Sequence, residues 1–157
     1  MADPTGPGSF SVHTGGDGIT LVGIIDETAD LSFFARLSAP TRVNLRGVRR
    51  INSYGVRTWI ESVRRVPAGV AVELVECSPS MVDQLNMVAG FTGRAKVISF
   101  YAPMACDGCG HEMEQLFSVA EVRQHQRLPL VSCPRCATAM HIDDLEDHYL
   151  LFVREPE

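Results

Sequence analysis

Four cysteines in the last third of the chain restrict its fold more than any other feature of the sequence. They form two C-x-x-C pairs, Cys106 with Cys109 and Cys133 with Cys136, and 23 residues separate the pairs. Glycines beside the first pair and Pro134 inside the second suit tight turns that bring both thiols of a pair to one ion. Four thiolates favour a tetrahedral Zn²⁺ ion. The spacing therefore predicts one structural zinc ion per chain, held by these four cysteines.

Other interpretations of the cysteines compete with structural zinc. Iron is chemically possible in a four-thiolate site. A thiol oxidoreductase would need one C-x-x-C pair to begin a helix after a strand, and neither pair has that setting in the sequence. A catalytic zinc ion keeps an open coordination position, whereas four thiolates close the shell. His111 or His141 could replace one thiolate, but with all four cysteines present we expect a closed four-sulfur site.

The segments around the cysteine pairs complete this part of the prediction. Residues 112–119 and 128–132 have the composition of strands, and together with the pairs they resemble a rubredoxin-like zinc ribbon over residues 104–157. Residues 143–153 fit either a short helix with an acidic start or a closing strand. So small a domain has little core of its own, so the metal would supply the missing stability. We expect its core to be separate from that of the preceding residues.

The charge of the chain is divided unevenly. The net charge is −5 over 157 residues, but residues 1–103 hold ten Lys/Arg and nine Asp/Glu, whereas residues 104–157 hold four and ten. So acidic a C-terminal part disfavours binding to a nucleic-acid backbone. No apolar run approaches the roughly 20 residues that a membrane span needs. Residues 1–9 are rich in Gly and Pro and lack a signal-peptide pattern, so we expect a disordered lead-in and a cytoplasmic protein.

Residues 10–103 alternate between strand and helix patterns. Strands are predicted at 10–13, at 19–25 and around 43–45, and a helix is predicted between Asp26 and Pro40. The sequence then predicts an amphipathic helix after residue 52, a strand at 70–76, a helix up to Gly90 and a last strand at 95–101. This order predicts an α/β fold, a mixed and mostly parallel sheet with helices packed on it.

The junction between the central strand and its helix is the most distinctive point of this half. Asn52 and Ser53 carry side-chain oxygens that can cap the free N–H groups at the start of the helix. A helix start also carries partial positive charge. The junction therefore presents polar groups and unpaired donors beside Tyr54, and a partner can recognise such a place.

The motifs of residues 10–103 together resemble the STAS domain of anti-sigma-factor antagonists. Residues 23–26 resemble the G-x-L-D segment before its first helix. Residues 43–59 resemble its hydrophobic strand, short loop, D-S-S-G motif and helix, and residues 76–91 resemble its next strand–helix pair. The resemblance implies a STAS-like fold and a non-enzymatic switch, in which a kinase-like anti-sigma regulator phosphorylates the second serine of D-S-S-G and is captured by the unphosphorylated protein.

This chain departs from the D-S-S-G motif at two positions. Asn52 stands in place of the aspartate and Tyr54 in place of the acceptor serine, while Ser53 matches the first serine. We therefore expect a docking module that works without phosphorylation, although phosphorylation of Ser53 or Tyr54 stays open. Its partner-binding residues are predicted as a set, named here the docking face: Arg49, Arg50, Asn52, Ser53, Tyr54 and Arg57.

Three alternatives of function remain from the sequence. The first is a signalling or regulatory adaptor that binds a protein partner reversibly, and the second is a constitutive structural subunit of a larger complex. Nucleic-acid binding by the ribbon is the third and is disfavoured by charge. The sequence shows no nucleophile elbow, no phosphate-binding loop and no paired Ser/His/Asp arrangement, so we expect no enzymatic activity. A homodimer is compatible with each of these functions.

Overall fold

The computed structural model describes residues 9–154, and its first sheet has the predicted mixed character. Five strands lie in the order β1-β2-β3-β4-β5, with β1 antiparallel to β2 and all other neighbours parallel. The α/β class with a mostly parallel sheet is therefore confirmed. Its strands are β1 (Ser11–Gly15), β2 (Gly18–Ile25), β3 (Thr41–Ile51), β4 (Val72–Val75) and β5 (Lys96–Val97). The predicted lead-in, apart from Ser9, lies outside the described residues.

One face of this sheet is buried and two helices connect its parallel strands. In β2 every second residue from Ile19 to Ile25 is buried while those between them are more exposed, the alternation expected of a half-buried strand. Helix α1 (Ser53–Val63) follows β3, and helix α2 (Pro79–Met87) follows β4. Burial of these alternating residues beneath the helices forms the core of this half.

Trp59 of α1 lies at the centre of that core and has no solvent exposure. Its ring meets Phe34 edge-on at 5.4 Å between centroids and stacks on Phe91 at 5.5 Å. Its indole Nε1 donates a 2.8 Å hydrogen bond to the carbonyl of Phe91. A buried indole N–H needs such a partner, so this bond fixes the 88–95 loop against α1.

The helix predicted between Asp26 and Pro40 is wrong, because this segment contains only a short 3-10 turn at Ser32–Arg36. The carboxylate of Asp26 accepts a 2.9 Å hydrogen bond from the N–H of Thr28, and the carboxylate of Asp30 accepts one of 2.9 Å from Ser32. Such local bonds satisfy the backbone in turns instead of a helix. Leu31 and Phe34 are still buried and Leu37 is partly buried, so the apolar pattern indicated burial but not the type of helix.

The strand predicted at residues 95–101 is divided between two sheets. Residues 96–97 form β5, and the chain then continues as the first strand of a second, antiparallel sheet with the order β7-β6-β9-β8. Ile98 links the two sheets, because its N–H donates to Leu74 at 2.8 Å and its carbonyl accepts from Val119 at 3.0 Å. The second sheet contains β6 (Ser99–Ala105), β7 (Glu112–Ser118), β8 (Val131–Ser132) and β9 (Ala139–Ile142).

Short helices complete the cysteine half, by which we mean residues 99–154. They are α3 (Val119–His125), α4 (Glu146–Tyr149) and α5 (Leu151–Arg154), so residues 143–153 take the helical alternative. The strand predicted at 112–119 is confirmed as β7, whereas that at 128–132 is reduced to the two residues of β8. None of the helices in residues 9–154 has the length and apolar character that crossing a membrane would require.

The two halves share one hydrophobic core, so the expectation of separate cores is wrong. Buried residues of both sheets form a single cluster, and α2 packs against β6, α4 and α5. The amide of Asn86 in α2 donates to the carbonyl of Tyr149 and accepts from the N–H of Phe152, each at 2.9 Å. The boundary predicted between residues 103 and 104 falls inside β6, a strand that contributes to this common core.

Candidate functional site

The four cysteines of the two C-x-x-C pairs meet at one point at the end of the second sheet. Their sulfur atoms all lie within 4.8 Å of one another. The closest contacts run between the pairs, 3.4 Å from Cys106 Sγ to Cys136 Sγ and 3.6 Å from Cys109 Sγ to Cys133 Sγ. A tetrahedral ion with metal–sulfur bonds of about 2.3 Å would set its sulfurs about 3.8 Å apart. The arrangement could therefore hold one metal ion.

Two equivalent turns bring these sulfur atoms together. In the first, Gly110 N–H donates to the carbonyl of Cys106 at 2.9 Å, and in the second, Ala137 N–H donates to the carbonyl of Cys133 at 2.9 Å. Gly110 and Ala137 occupy the same position after their pairs, and both have left-handed backbones, with φ of 77° and 64°. Glycine adopts this conformation without strain, whereas alanine does not.

Each turn contributes one buried and one exposed sulfur. Cys106 and Cys133 are buried, whereas Cys109 and Cys136 are exposed. The side chain and backbone N–H of Thr138 hydrogen-bond to Cys136 and lower its pKa to about 6. Because metals bind thiolates and not thiols, Thr138 prepares Cys136 as a ligand.

The two histidines beside the cysteine pairs lie outside the sulfur cluster. His141 Nε2 is 2.9 Å from Asp107 Oδ1, and its Nδ1 is 3.1 Å from the carbonyl of Ile142. The hydrogen bond to Asp107 raises the pKa of His141. His111 takes part through its backbone, whose carbonyl accepts a 2.9 Å hydrogen bond from Cys106 N–H. Four cysteines and no histidine thus form the candidate metal centre.

Cys77, the fifth cysteine, has a structural place in the core. Its side chain is fully buried, and burial raises the pKa of its thiol to about 12. Its backbone N–H donates to Ser99 at 3.0 Å and its carbonyl accepts from Tyr101 at 2.8 Å. Cys77 therefore joins the end of β4 to β6 and remains a neutral thiol, as a small apolar residue would.

All six residues of the predicted docking face are exposed where β3 ends and α1 begins. The side chain of Asn52 caps α1 as expected, accepting a 2.8 Å hydrogen bond from Gly55 N–H. Ser53 is the first residue of the helix. Tyr54 is 66% exposed, which is far from the burial usual for so large an aromatic ring.

The arginines of the docking face are held differently from one another. Arg49 and Arg50 lie within β3, because this strand extends to Ile51 and is longer than predicted. The carbonyl of Arg49 accepts a 2.7 Å hydrogen bond from Ser80 Oγ. On α1, Arg57 forms an exposed ion pair of 3.2 Å with Glu61. These contacts fix the backbone around Tyr54 while leaving charged groups in solvent.

A polar network beside β3 was not found from the sequence. The Tyr101 hydroxyl lies 3.1 Å from Glu76 Oε1, and the guanidinium of Arg46 lies over the Tyr101 ring at 5.0 Å. The Asn44 side chain also donates to Glu76. Asn44 and Arg46 lie on β3, Tyr101 lies on β6, and Glu76 directly follows β4, so only the fold brings these residues together. At most, the alternation of β3 indicated that Asn44 and Arg46 share a face.

Comparison with known proteins gives no relative for this chain. No protein-family model, no curated protein and no solved structure matches it. The class that fold and site define is therefore a two-sheet α/β protein with a four-cysteine cluster that could hold a metal ion.

Proposed function

We propose that the chain is a non-enzymatic protein-interaction module of a bacterial signalling or regulatory assembly, similar to an anti-sigma-factor antagonist. The observation that carries the proposal is the docking face, where Tyr54 is exposed at a capped helix start. An exposed aromatic residue surrounded by arginines is a common centre of protein interfaces. The tyrosine occupies the position of the acceptor serine, so docking is proposed to be independent of phosphorylation.

Tyr54 and its neighbours suit a partner with carboxylates. The docking face has three arginines and no acidic member; of the carboxylates next to it, Glu61 pairs with Arg57, and Glu27 accepts a 3.4 Å hydrogen bond from the Asn52 side chain. Arginine forms paired hydrogen bonds with carboxylates, and an aromatic anchor adds buried apolar area. The proposed partner is therefore a protein whose surface is acidic around an apolar pocket.

Affinity capture from the native host tests this function. The wild-type protein should retain one or a few proteins that a Tyr54→Glu bait loses, and a Tyr54→Phe bait should keep them because it preserves the ring. Captured partners should dissociate and rebind, as a regulatory adaptor requires. Equal capture by the wild type and Tyr54→Glu would contradict the proposal.

We also propose that the four-cysteine cluster holds one zinc ion with a structural role. Thiolate softness favours zinc or iron over magnesium or calcium, and a closed four-sulfur shell leaves no position for substrate. The proposal includes a reducing, cytoplasmic location, where such thiols remain free of disulfides.

Elemental analysis of protein purified without added metal tests this site. We expect about one zinc per chain. Cys109→Ser removes an exposed ligand and should reduce the zinc content strongly, whereas the control Cys77→Ala should keep it. Iron in place of zinc, or a folded wild-type chain without metal, would contradict the proposal.

A constitutive assembly subunit is the second candidate, and exposed leucines of the cysteine half favour it. Leu130 is 94% exposed and Leu145 is 75% exposed. Exposed apolar side chains mark protein interfaces where they form a contiguous patch, and permanent interfaces are the more hydrophobic ones. In this case a captured partner would remain bound through extensive washing, and its loss would follow Leu130→Ser and not Tyr54→Glu.

A further inference from the structure

A groove of about 1080 Å³ lies at the end of the first sheet that is remote from the docking face. One side is formed by the first residues of β3 and β4, and the other by the end of α2, the loop after it, α3 and α5. The groove therefore lies where the two halves meet. Its volume is at the upper end of small-molecule sites, which measure roughly 300–1000 Å³ and often lie between such units.

One wall of the groove is apolar and held in place by the shared core. It includes Leu85, Val88 and Phe152, which are half-buried against the core. The ring of Phe152 meets Phe100 edge-on at 5.1 Å, and its backbone N–H is bound by the Asn86 side chain. Packing against the core holds this wall in place, and the exposed part of its apolar side chains can contact a ligand.

The groove also carries an excess of positive charge, which is contributed both by the strand ends and by the loop and helix across from them. Among residues 9–154, four basic residues line it but only two acidic residues do. The basic residues are Arg42, Arg94, Lys96 and Arg123, and the acidic ones are Asp17 and Glu73. The chain as a whole has a net charge of −5, so this local excess runs against the average charge of the molecule.

Positive and negative residues of the groove alternate across the sheet. Arg42, Glu73 and Lys96 are paired in register on β3, β4 and β5. Glu73 Oε1 lies 3.0 Å from Arg42 Nε, so this carboxylate is already matched by a guanidinium. Lys96 is exposed at the end of the row and is the only lysine of the sequence. An anion near Lys96 would extend the alternation of charge along the row.

We propose that this groove binds a small amphipathic anion, with a carboxylate or phosphate head beside Lys96 and an apolar body on the wall formed by α2 and α5. Charge attracts the head and burial of the body provides the remaining affinity. The site is separate from the docking face and from the cysteine cluster, so it goes beyond the proposed function. Its failure would leave that function untouched.

Titration calorimetry with submicellar decanoate, decyl phosphate and 1-decanol tests the proposal. A charge-assisted hydrogen bond corresponds to about tenfold or more in affinity, so at least one anion should bind about tenfold more tightly than decanol. The anion that binds more tightly identifies the head group. Inorganic phosphate alone should bind much more weakly than decyl phosphate, because it lacks the apolar body.

Two charge-reversal variants locate the site. Lys96→Glu should weaken binding of the anion by about tenfold or more and leave decanol within about twofold. Arg65→Glu makes the same change at an exposed residue in the turn after α1, which is not part of the lining of the groove, and should leave the affinities for the anion and for decanol unchanged. Both variants should keep the circular dichroism spectrum and the cooperative unfolding of the wild type, which shows that the fold is intact. A small fall in the midpoint is expected for Lys96→Glu, because its carboxylate would lie beside Glu73 in register.

Acylation of the single lysine gives a measurement without substitution. The anion that binds more tightly in the calorimetry should slow the reaction of the Lys96 amine with an amine-reactive reagent, and decanol should not. If both anions bound no more tightly than decanol, or if the affinity of the tighter anion were unchanged by Lys96→Glu, the proposal would be overturned. If the groove instead takes an acidic segment of a partner, none of the probes would bind, and that result would also overturn it.

Discussion

At the residue scale, the first half depends at several positions on the absence of a side chain, and Gly55 and Gly23 are two of them. A Cβ on Gly55 would lie 2.0 Å from the carbonyl oxygen of Ile25, and one on Gly23 would lie 1.9 Å from that of Ser9. Such distances are impossible without movement of the backbone. Gly55 therefore lets the start of α1 rest directly on the end of β2, and this contact sets the place of Tyr54.

Gly55→Ala should destabilise the protein by about 3 kcal/mol or more, because the methyl group meets backbone and not a flexible side chain. Gly16→Ala is the matched control, since nothing lies within 4 Å of a Cβ there. Chemical unfolding followed by Trp59 fluorescence measures both. An equal effect of the two substitutions would contradict the close packing at Gly55.

The two cysteine turns offer a reciprocal pair of substitutions. Ala137→Gly removes left-handed strain and should stabilise the metal-bound protein by about 0.5 kcal/mol, after the entropy cost of glycine. Gly110→Ala introduces the same strain and should destabilise it by a similar amount, since its Cβ meets nothing within 4 Å. The midpoint of urea unfolding measures both, and shifts of the same sign would contradict the equivalence of the turns.

At the element scale, most strands and the capped helix α1 could be predicted from the sequence. The turns, and the sheet to which each strand belongs, could be predicted less well. The alternation of β2 and the Asn52 cap before α1 are local patterns, and they survive in the fold. The helix prediction between Asp26 and Pro40 was wrong because hydrogen bonds from the N–H groups of Thr28 and Ser32 to nearby carboxylates compete with helix formation. The spacing of apolar residues does not show whether such side-chain hydrogen bonds will form.

The prediction that residues 95–101 belong to one sheet was wrong for a different reason. Residues 95–101 read as one strand, but the chain leaves the first sheet at Ile98 to pair along the whole of β7. This choice depends on contacts with residues 112–118, which a local pattern does not show. The cysteine spacing, by contrast, indicated all four members of the cluster. Each C-x-x-C turn brings its two thiols to one side, so two such turns can supply four sulfur atoms to one ion.

At the scale of the whole molecule, the shared core links the cysteine cluster to the first half. The helix α2 packs on elements of both halves, and Asn86 bonds backbone groups near both α4 and α5. Loosening of the second sheet would remove a layer from the core around α2. The cysteine cluster therefore stabilises more than its own turns.

Cys133→Ser, which removes a buried ligand, should lower the stability of the entire described fold. Loss of a ligand that binds only the folded state should cost at least about 2 kcal/mol. Trp59 lies in the first half, and its unfolding transition should shift together with the circular dichroism of the chain. A variant that loses metal while the Trp59 transition keeps its wild-type midpoint would show that the halves unfold independently.

The central claim, that the docking face captures a protein through Tyr54, is tested most directly by titrating the captured partner against variants of that residue. Tyr54→Glu should weaken binding by about 2 kcal/mol or more, as expected for a central anchor, while Tyr54→Phe should bind nearly as the wild type. The thermal midpoint should be kept, because Tyr54 is exposed and a carboxylate is favourable in the first turn of a helix. Equal affinities of the wild type and Tyr54→Glu would contradict the claim and would place the interface elsewhere, first of all on the cysteine half.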